Sequence, residues 1–123
     1  MHRTFVVLLL AASAAFAQDQ PLKDFPPDAT APNEQALRDY LAGRTFVGKF
    51  ANGAVVTTQF SADGKLKSTI STGGVDTGEW RTEDGKLCGS LRKAGGFCND
   101  ARVGTAALWL RRMNGEIVRY APQ

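Results

Sequence analysis

From residue 44 onward the chain is a succession of short runs in which apolar and polar side chains alternate. Phe46 and Phe50 share a face with Gly48 between them. Val56, Thr58 and Phe60 share another, as do Leu66, Ser68 and Ile70. Gly78 and Trp80 face one way while Thr77, Glu79 and Arg81 face the other, and Leu87, Gly89 and Leu91 alternate with Cys88 and Ser90. A period of two with one buried face belongs to antiparallel strands. The runs predict strands over 44–51, 54–61, 65–71, 76–82 and 86–93, a short one near 97–99, and two more over 105–112 and 116–121.

Turn signals punctuate these runs at near-constant spacing. They are Asn52-Gly53, Asp63-Gly64, Gly73-Gly74, Asp84-Gly85, Gly95-Gly96, the stretch 99–104, and Asn114-Gly115. Such pairs accept positive φ, so they are expected at two-residue hairpin tips. The segment Phe60-Ser61-Ala62-Asp63-Gly64-Lys65-Leu66 is echoed by Trp80-Arg81-Thr82-Glu83-Asp84-Gly85-Lys86-Leu87, one residue longer. The chain is too short for stacked repeat units, and the echo is read as one hairpin problem solved twice. A flat sheet of eight short strands leaves two exposed edges, and closure removes them. The predicted fold is therefore mainly all-β: a small up-and-down antiparallel β-barrel of about eight short strands with one short N-terminal helix. Phe46, Phe50, Phe60, Trp80 and Leu108, with Val56, Leu66, Ile70, Leu87, Leu91, Leu110 and Val118, are the expected lumen residues. They are numerous enough to predict a filled, dry barrel.

The helix is predicted over 33–42. Ala36, Leu37, Tyr40 and Leu41 form one apolar stripe, Thr30 or Asn33 can cap the start, and Gly43 stops it. Three turns are marginal alone, so the helix is expected to lie on the sheet or plug one end of the barrel. The preceding segment, 18–32, contains Pro21, Pro26, Pro27 and Pro32 and shows no period, which predicts an extended, mobile tail. Residues 1–17 combine Arg3, the apolar run around Val6-Val7-Leu8-Leu9-Leu10 and Ala15-Phe16-Ala17, the pattern of a secretory signal peptide. The expected organisation is thus a signal peptide 1–17, a tail 18–32 and one helix-plus-barrel domain 33–123. The expected location is secreted or periplasmic, with no membrane span after cleavage.

The composition narrows the chemistry. A net charge of +3 without a clustered basic face argues against nucleic acid as a partner. The one histidine, His2, lies in the signal segment, so the domain lacks the usual general base and the commonest metal ligand. No Ser-His-Asp arrangement and no phosphate-cradling glycine loop is available. Most carboxylates sit at turn tips. Glu79 is mid-strand, but alternation puts it opposite Trp80, toward solvent. No catalytic residue, metal or cofactor is expected, and the chain is read as a non-enzyme. Cys88 and Cys98 straddle the 92–96 turn, which predicts a structural disulfide across one hairpin.

One segment exceeds what turns and core require. Ala106, Leu108 and Leu110 already provide an apolar face, so Trp109 points the other way with Ala107 and Arg111. Either it packs under the Leu37–Tyr40–Leu41 stripe or it is exposed beside Arg111 and Arg112. The second arrangement makes Trp109, Arg111 and Arg112 a candidate interface.

Three resemblances add to this reading. The helix leading into Leu41-Ala42-Gly43-Arg44-Thr45-Phe46 resembles the start of calycin folds, with Phe46 where lipocalins carry Trp in Gly-x-Trp. The resemblance implies a late arginine across that ring, Arg111 or Arg119. The layout is also similar to small eight-stranded bacterial periplasmic protease inhibitors, whose N-terminal segment enters the protease cleft. Finally, Gly43 to Gly48 as Gly-x-Thr-x-x-Gly, Phe60 with Asp63-Gly64, Gly78-Glu79-Trp80, Asp84-Gly85-Lys86-Leu87-Cys88 and Cys98 resemble an uncharacterised group of small secreted proteobacterial domains. The last of these implies a fold and no activity; the over-apolar late strand and the lack of catalytic groups lead to the expectation of a non-catalytic, exported barrel module of the cell envelope binding a protein or a small ligand. The alternative is an inhibitor of a secreted hydrolase, a protease or lysozyme, acting through the tail or loops.

Overall fold

The structure is a computed structural model that describes residues 22–123. The expected signal peptide and the first residues of the expected tail lie outside the described residues. One helix, α1 (Glu34–Leu41), precedes eight strands: β1 (Arg44–Lys49), β2 (Val55–Phe60), β3 (Lys65–Ile70), β4 (Val75–Glu83), β5 (Lys86–Leu91), β6 (Gly95–Val103), β7 (Leu108–Arg111) and β8 (Ile117–Pro122). Each strand pairs antiparallel with the next, and β1 pairs with β8, so the meander closes into a barrel. Among the described residues no helix is long and apolar enough to cross a membrane.

The hairpins obey the spacing of the turn signals but not the expected geometry. Among the described residues no non-glycine has positive φ, so Gly73-Gly74 is the one turn pair with two successive positive-φ residues. Four connections are three-residue loops instead. In the β1–β2 loop, Phe50 N–H donates to Ala54 C=O and Gly53 N–H donates to Phe50 C=O, with Gly53 at φ 90°. The same pair of bonds closes the β2–β3, β3–β4 and β7–β8 loops around Gly64, Gly73 and Gly115. This is the type I turn followed by one left-handed residue, where glycine carries no Cβ penalty. The Asn or Asp before the glycine stays right-handed and acts through its side chain. Asn52 Oδ1 accepts from Ala54 N–H, Asn114 Oδ1 from Glu116 N–H, and Asp63 Oδ1 from Lys65 N–H.

The stretch 99–104 is not a turn. Strand β6 runs straight through it, pairing Cys98 with Cys88 and Arg102 with Trp109, and the chain reverses later, at Gly104–Ala107. Asn99 and Asp100 keep extended backbone here because both pair with β5, and Asp100 with β7 as well, which overrides local turn preference.

The helix plugs one end of the barrel. Asn33 caps it by accepting from Ala36 N–H, and Asp84 of the β4–β5 turn accepts from Glu34 N–H. Its apolar stripe drives inward: Leu37 and Leu41 are fully buried, and the helix packs on β4 and β1. Below them Phe46, Phe60 and Trp80 form a chain of edge-on rings with centroids 5.4–5.8 Å apart. The Trp80 indole N–H donates to Ser61 C=O, which satisfies its polar end. Arg44 lies over Tyr40 and Phe46, and Arg38 over Trp80. The arginine across Phe46 is thus the adjacent Arg44, neither Arg111 nor Arg119.

Residues 22–32, expected as part of a mobile tail, are seated on the barrel wall. Thr30 and Val103 exchange backbone hydrogen bonds, and Gly85 N–H donates to Pro32 C=O. Phe25 packs against two guanidinium groups, Arg102 and Arg111, with ring distances of 4.9 and 4.7 Å. Three prolines, Pro26, Pro27 and Pro32, deny the segment a helix, yet a ring between two cations and three backbone bonds are enough to hold it.

Candidate functional site: an open cup in the barrel

Plugging one end leaves the other open. The helix, the β2–β3 turn and the β4–β5 turn close the first end. The loops 50–54, 70–74, 91–95 and 112–116 surround the second. Between them the lumen is not filled: a cup of about 420 Å3 runs from the mouth down to Phe60, Leu66, Leu87 and Tyr120. This corrects the expectation of a dry, filled barrel. The apolar side chains are all present, but eight of the twelve line the wall of the cup without filling it, and only Phe46, Trp80, Leu108 and Val118 lie wholly in the plugged half. The helix contributes Leu37 and Leu41 to that half and nothing to the other.

Two inward glycines also keep the cup open. A Cβ on Gly48 would lie 2.8 Å from two ring carbons of Tyr120, its cross-strand partner. A Cβ on Gly89 would lie 2.9 Å from Phe97, also its direct partner, and would clash with the Glu79 carbonyl. Each ring therefore lies flat over a glycine on the neighbouring strand, against the wall of the lumen. Burial pushes the Tyr120 phenol up to about 12, with nearby Arg112 opposing that shift and Glu116 adding to it.

The mouth is stitched by side chains. Glu116, just before β8, accepts from Ala51 N–H of the first loop and pairs with Arg112. Asp76 at the start of β4 accepts from Lys93 and Ala94 N–H of the β5–β6 turn at 2.9–3.2 Å. Partial desolvation raises the Asp76 pKa, but the hydrogen bonds from Lys93, Ala94 and Thr77 outweigh it and hold the carboxyl below its ordinary value. Ser71 Oγ accepts from Val55 N–H. No such stitch joins β6 to β7 here, because β7 pairs only as far as Asp100, so Gly95–Asn99 are bonded on the β5 side alone. Met113 is exposed at the mouth of the cup, while Val55 and Val75 are exposed on the outer face at the same end of the barrel.

The polar groups of the cup wall are few. Thr58 and Ser68 hydroxyls bond to each other at 3.0 Å. Arg112 is committed to Glu116 and lies 4.0 Å over the Phe50 ring. Asn99 faces inward between Phe97 and Ala101, opposite Leu87, and its buried Oδ1 accepts no hydrogen bond from the protein.

The residues singled out in the sequence separate accordingly. Phe46, Trp80 and Leu108 belong to the plugged half, Phe60 to the floor and Phe50 to the rim of the cup. Trp109, Arg111 and Arg112 do not form one patch. Consecutive strand residues point to opposite faces, so Arg112 turns into the mouth while Trp109 and Arg111 stay outside. Trp109 is half-buried and lies between Arg102 and Arg119 of the flanking strands, whereas the helix packs chiefly on β4 and β1. Arg111 is engaged by Phe25, Asp24 and Asp100. Asn99 is the residue that sequence reasoning missed. Its neighbours Asp100 and Gly104 made it read as turn chemistry, and only its alternation with Phe97 and Ala101 marks it as inward-facing.

Cys88 and Cys98 form the disulfide, on the outer face of the β5–β6 hairpin. The Glu83 carboxylate lies beside both sulfurs. With the sulfurs bonded to each other, neither is a thiolate, and the group is not a metal site in this state. Glu79 is exposed and pairs with Lys65, as its strand position predicts. Set against known proteins, the chain matches no family model, no curated sequence and no solved structure. The calycin, inhibitor and proteobacterial-domain resemblances therefore rest on the quoted motifs.

Proposed function

We propose that this chain is a non-catalytic binding module that holds one small, largely apolar molecule in the open half of its barrel. The observation that carries the reading is the cup itself: about 420 Å3, closed at one end by a helix, apolar on its walls and supplied with few polar groups. Small-molecule sites occupy roughly 300–1,000 Å3 and are lined in this way. A disulfide fits an oxidising compartment and agrees with the signal-like residues 1–17, so export to the periplasm or medium is part of the proposal. Inhibition of a hydrolase by the N-terminal segment has weaker support, because residues 22–32 already have a seat on the barrel.

The test is to fill the cup. Leu110→Trp, on the cup wall, should weaken binding of small aromatic probes by at least about tenfold, the scale of 1.4 kcal/mol, with the fold retained by circular dichroism. Failure of every apolar probe to bind the folded wild-type chain below millimolar concentration refutes the reading.

A further inference from the structure

The cup holds one polar group that the protein leaves unanswered. Asn99 Oδ1 is buried on the β6 wall and accepts no protein hydrogen bond, and it is the single side-chain atom of this kind among the described residues. A buried acceptor without a donor costs about 1–3 kcal/mol relative to a satisfied one. The other polar groups of the wall and rim offer it no partner. The Thr58 and Ser68 hydroxyls bond to each other, Arg112 is held by Glu116, and Asp76 is taken up by the β5–β6 turn amides.

Resting on the binding reading above, we infer that the ligand of this cup is a compact, neutral, one- or two-ring molecule whose hydroxyl or N–H donates to Asn99 Oδ1. The donor requirement follows from the atom: an amide oxygen accepts and cannot donate. A carboxylate brought to the same oxygen would set two acceptors against each other, and Arg112, the one basic residue of the lining, is already held by Glu116, which disfavours an anionic head at this depth. The apolar body follows from the remaining wall, made of Leu87, Leu66, Phe60 and the two rings laid over Gly48 and Gly89. The position of Asn99 between Phe97 and Ala101 places a bound ring alongside Phe97 while its donor reaches the amide.

The experiment compares naphthol with methylnaphthalene, which has the same shape but no donor, by equilibrium dialysis against the full folded chain. Naphthol should bind about 10–100-fold more tightly, the range expected when a buried acceptor gains or lacks its donor. In Asn99→Leu the preference should vanish or reverse while methylnaphthalene binding is retained. Equal binding of the two probes to the wild-type chain overturns this inference and leaves the cup reading standing. That comparison needs no variant and survives any folding defect of Asn99→Leu. A preference for naphthol that persists undiminished in folded Asn99→Leu also overturns it, since the donor would then be answered elsewhere. Binding of neither probe overturns both readings.

Discussion

Replacing Leu37 by Ala tests whether the helix is an integral plug or a loose cover. Leu37 is fully buried at the centre of the apolar stripe, on the side of α1 that faces the closed end of the barrel. Truncation of a buried leucine costs about 2–5 kcal/mol, with the cost rising as the cavity left behind fails to collapse. Here one side of the new cavity is a rigid sheet, while the other is a short helix with freedom to settle, which argues for the middle of that range, about 3 kcal/mol. For a domain of this size each kcal/mol moves the melting midpoint by about 4–8 °C, so the expected drop is about 12–24 °C. The assay is thermal unfolding followed by near-ultraviolet circular dichroism, which reports Trp80 packing, repeated in urea to show an unchanged slope. A drop of under about 4 °C would mean that α1 does not share the barrel core, and the account of a cup sealed at one end would fail with it.

Gly48→Ala should destabilise by about 1–3 kcal/mol, because the new Cβ forces the Tyr120 ring off the wall; urea unfolding measures the loss, and recovery in the double variant with Tyr120→Leu assigns it to that contact. Tyr120 also predicts a stability change in alkali. Its folded pKa of about 12 stands above an unfolded value of about 10, so the stabilisation is complete below pH 10 and disappears as pH rises through 12. The amount is about 3 kcal/mol, read from unfolding curves across that range, and it should be absent in Tyr120→Phe. Removing the disulfide with Cys88→Ser and Cys98→Ser opens an 11-residue loop and should cost about 2.8 kcal/mol, measured by urea unfolding against the oxidised parent; no change would show that the hairpin register alone holds these strands.

Much of the barrel is legible in the chain because alternation and turn chemistry are local. Each strand position from Phe46 to Tyr120 has its face dictated by a period of two, and each of Gly53, Gly64, Gly73 and Gly115 marks a place where the backbone must turn left-handed. The same locality explains the misreadings. The run through Asn99 and Asp100 has turn-type residues, yet it is held extended by pairing with Leu87 and Lys86 on one strand and, for Asp100, Arg111 on another. Arg111 and Arg112 are neighbours in sequence and sit on opposite faces of the wall.

By itself, then, the amino-acid sequence determined the strand count, the meander order, the short helix and the Cys88–Cys98 pairing, because each depends on side chains a few residues apart. The cup was decided by tertiary structure. Whether a lumen is filled depends on how twelve apolar side chains divide between its two halves, and on two rings lying flat over Gly48 and Gly89 across strands. Neither is a property of any local segment. The unanswered acceptor at Asn99 has the same origin: its isolation is visible only when every other wall of the barrel is in place.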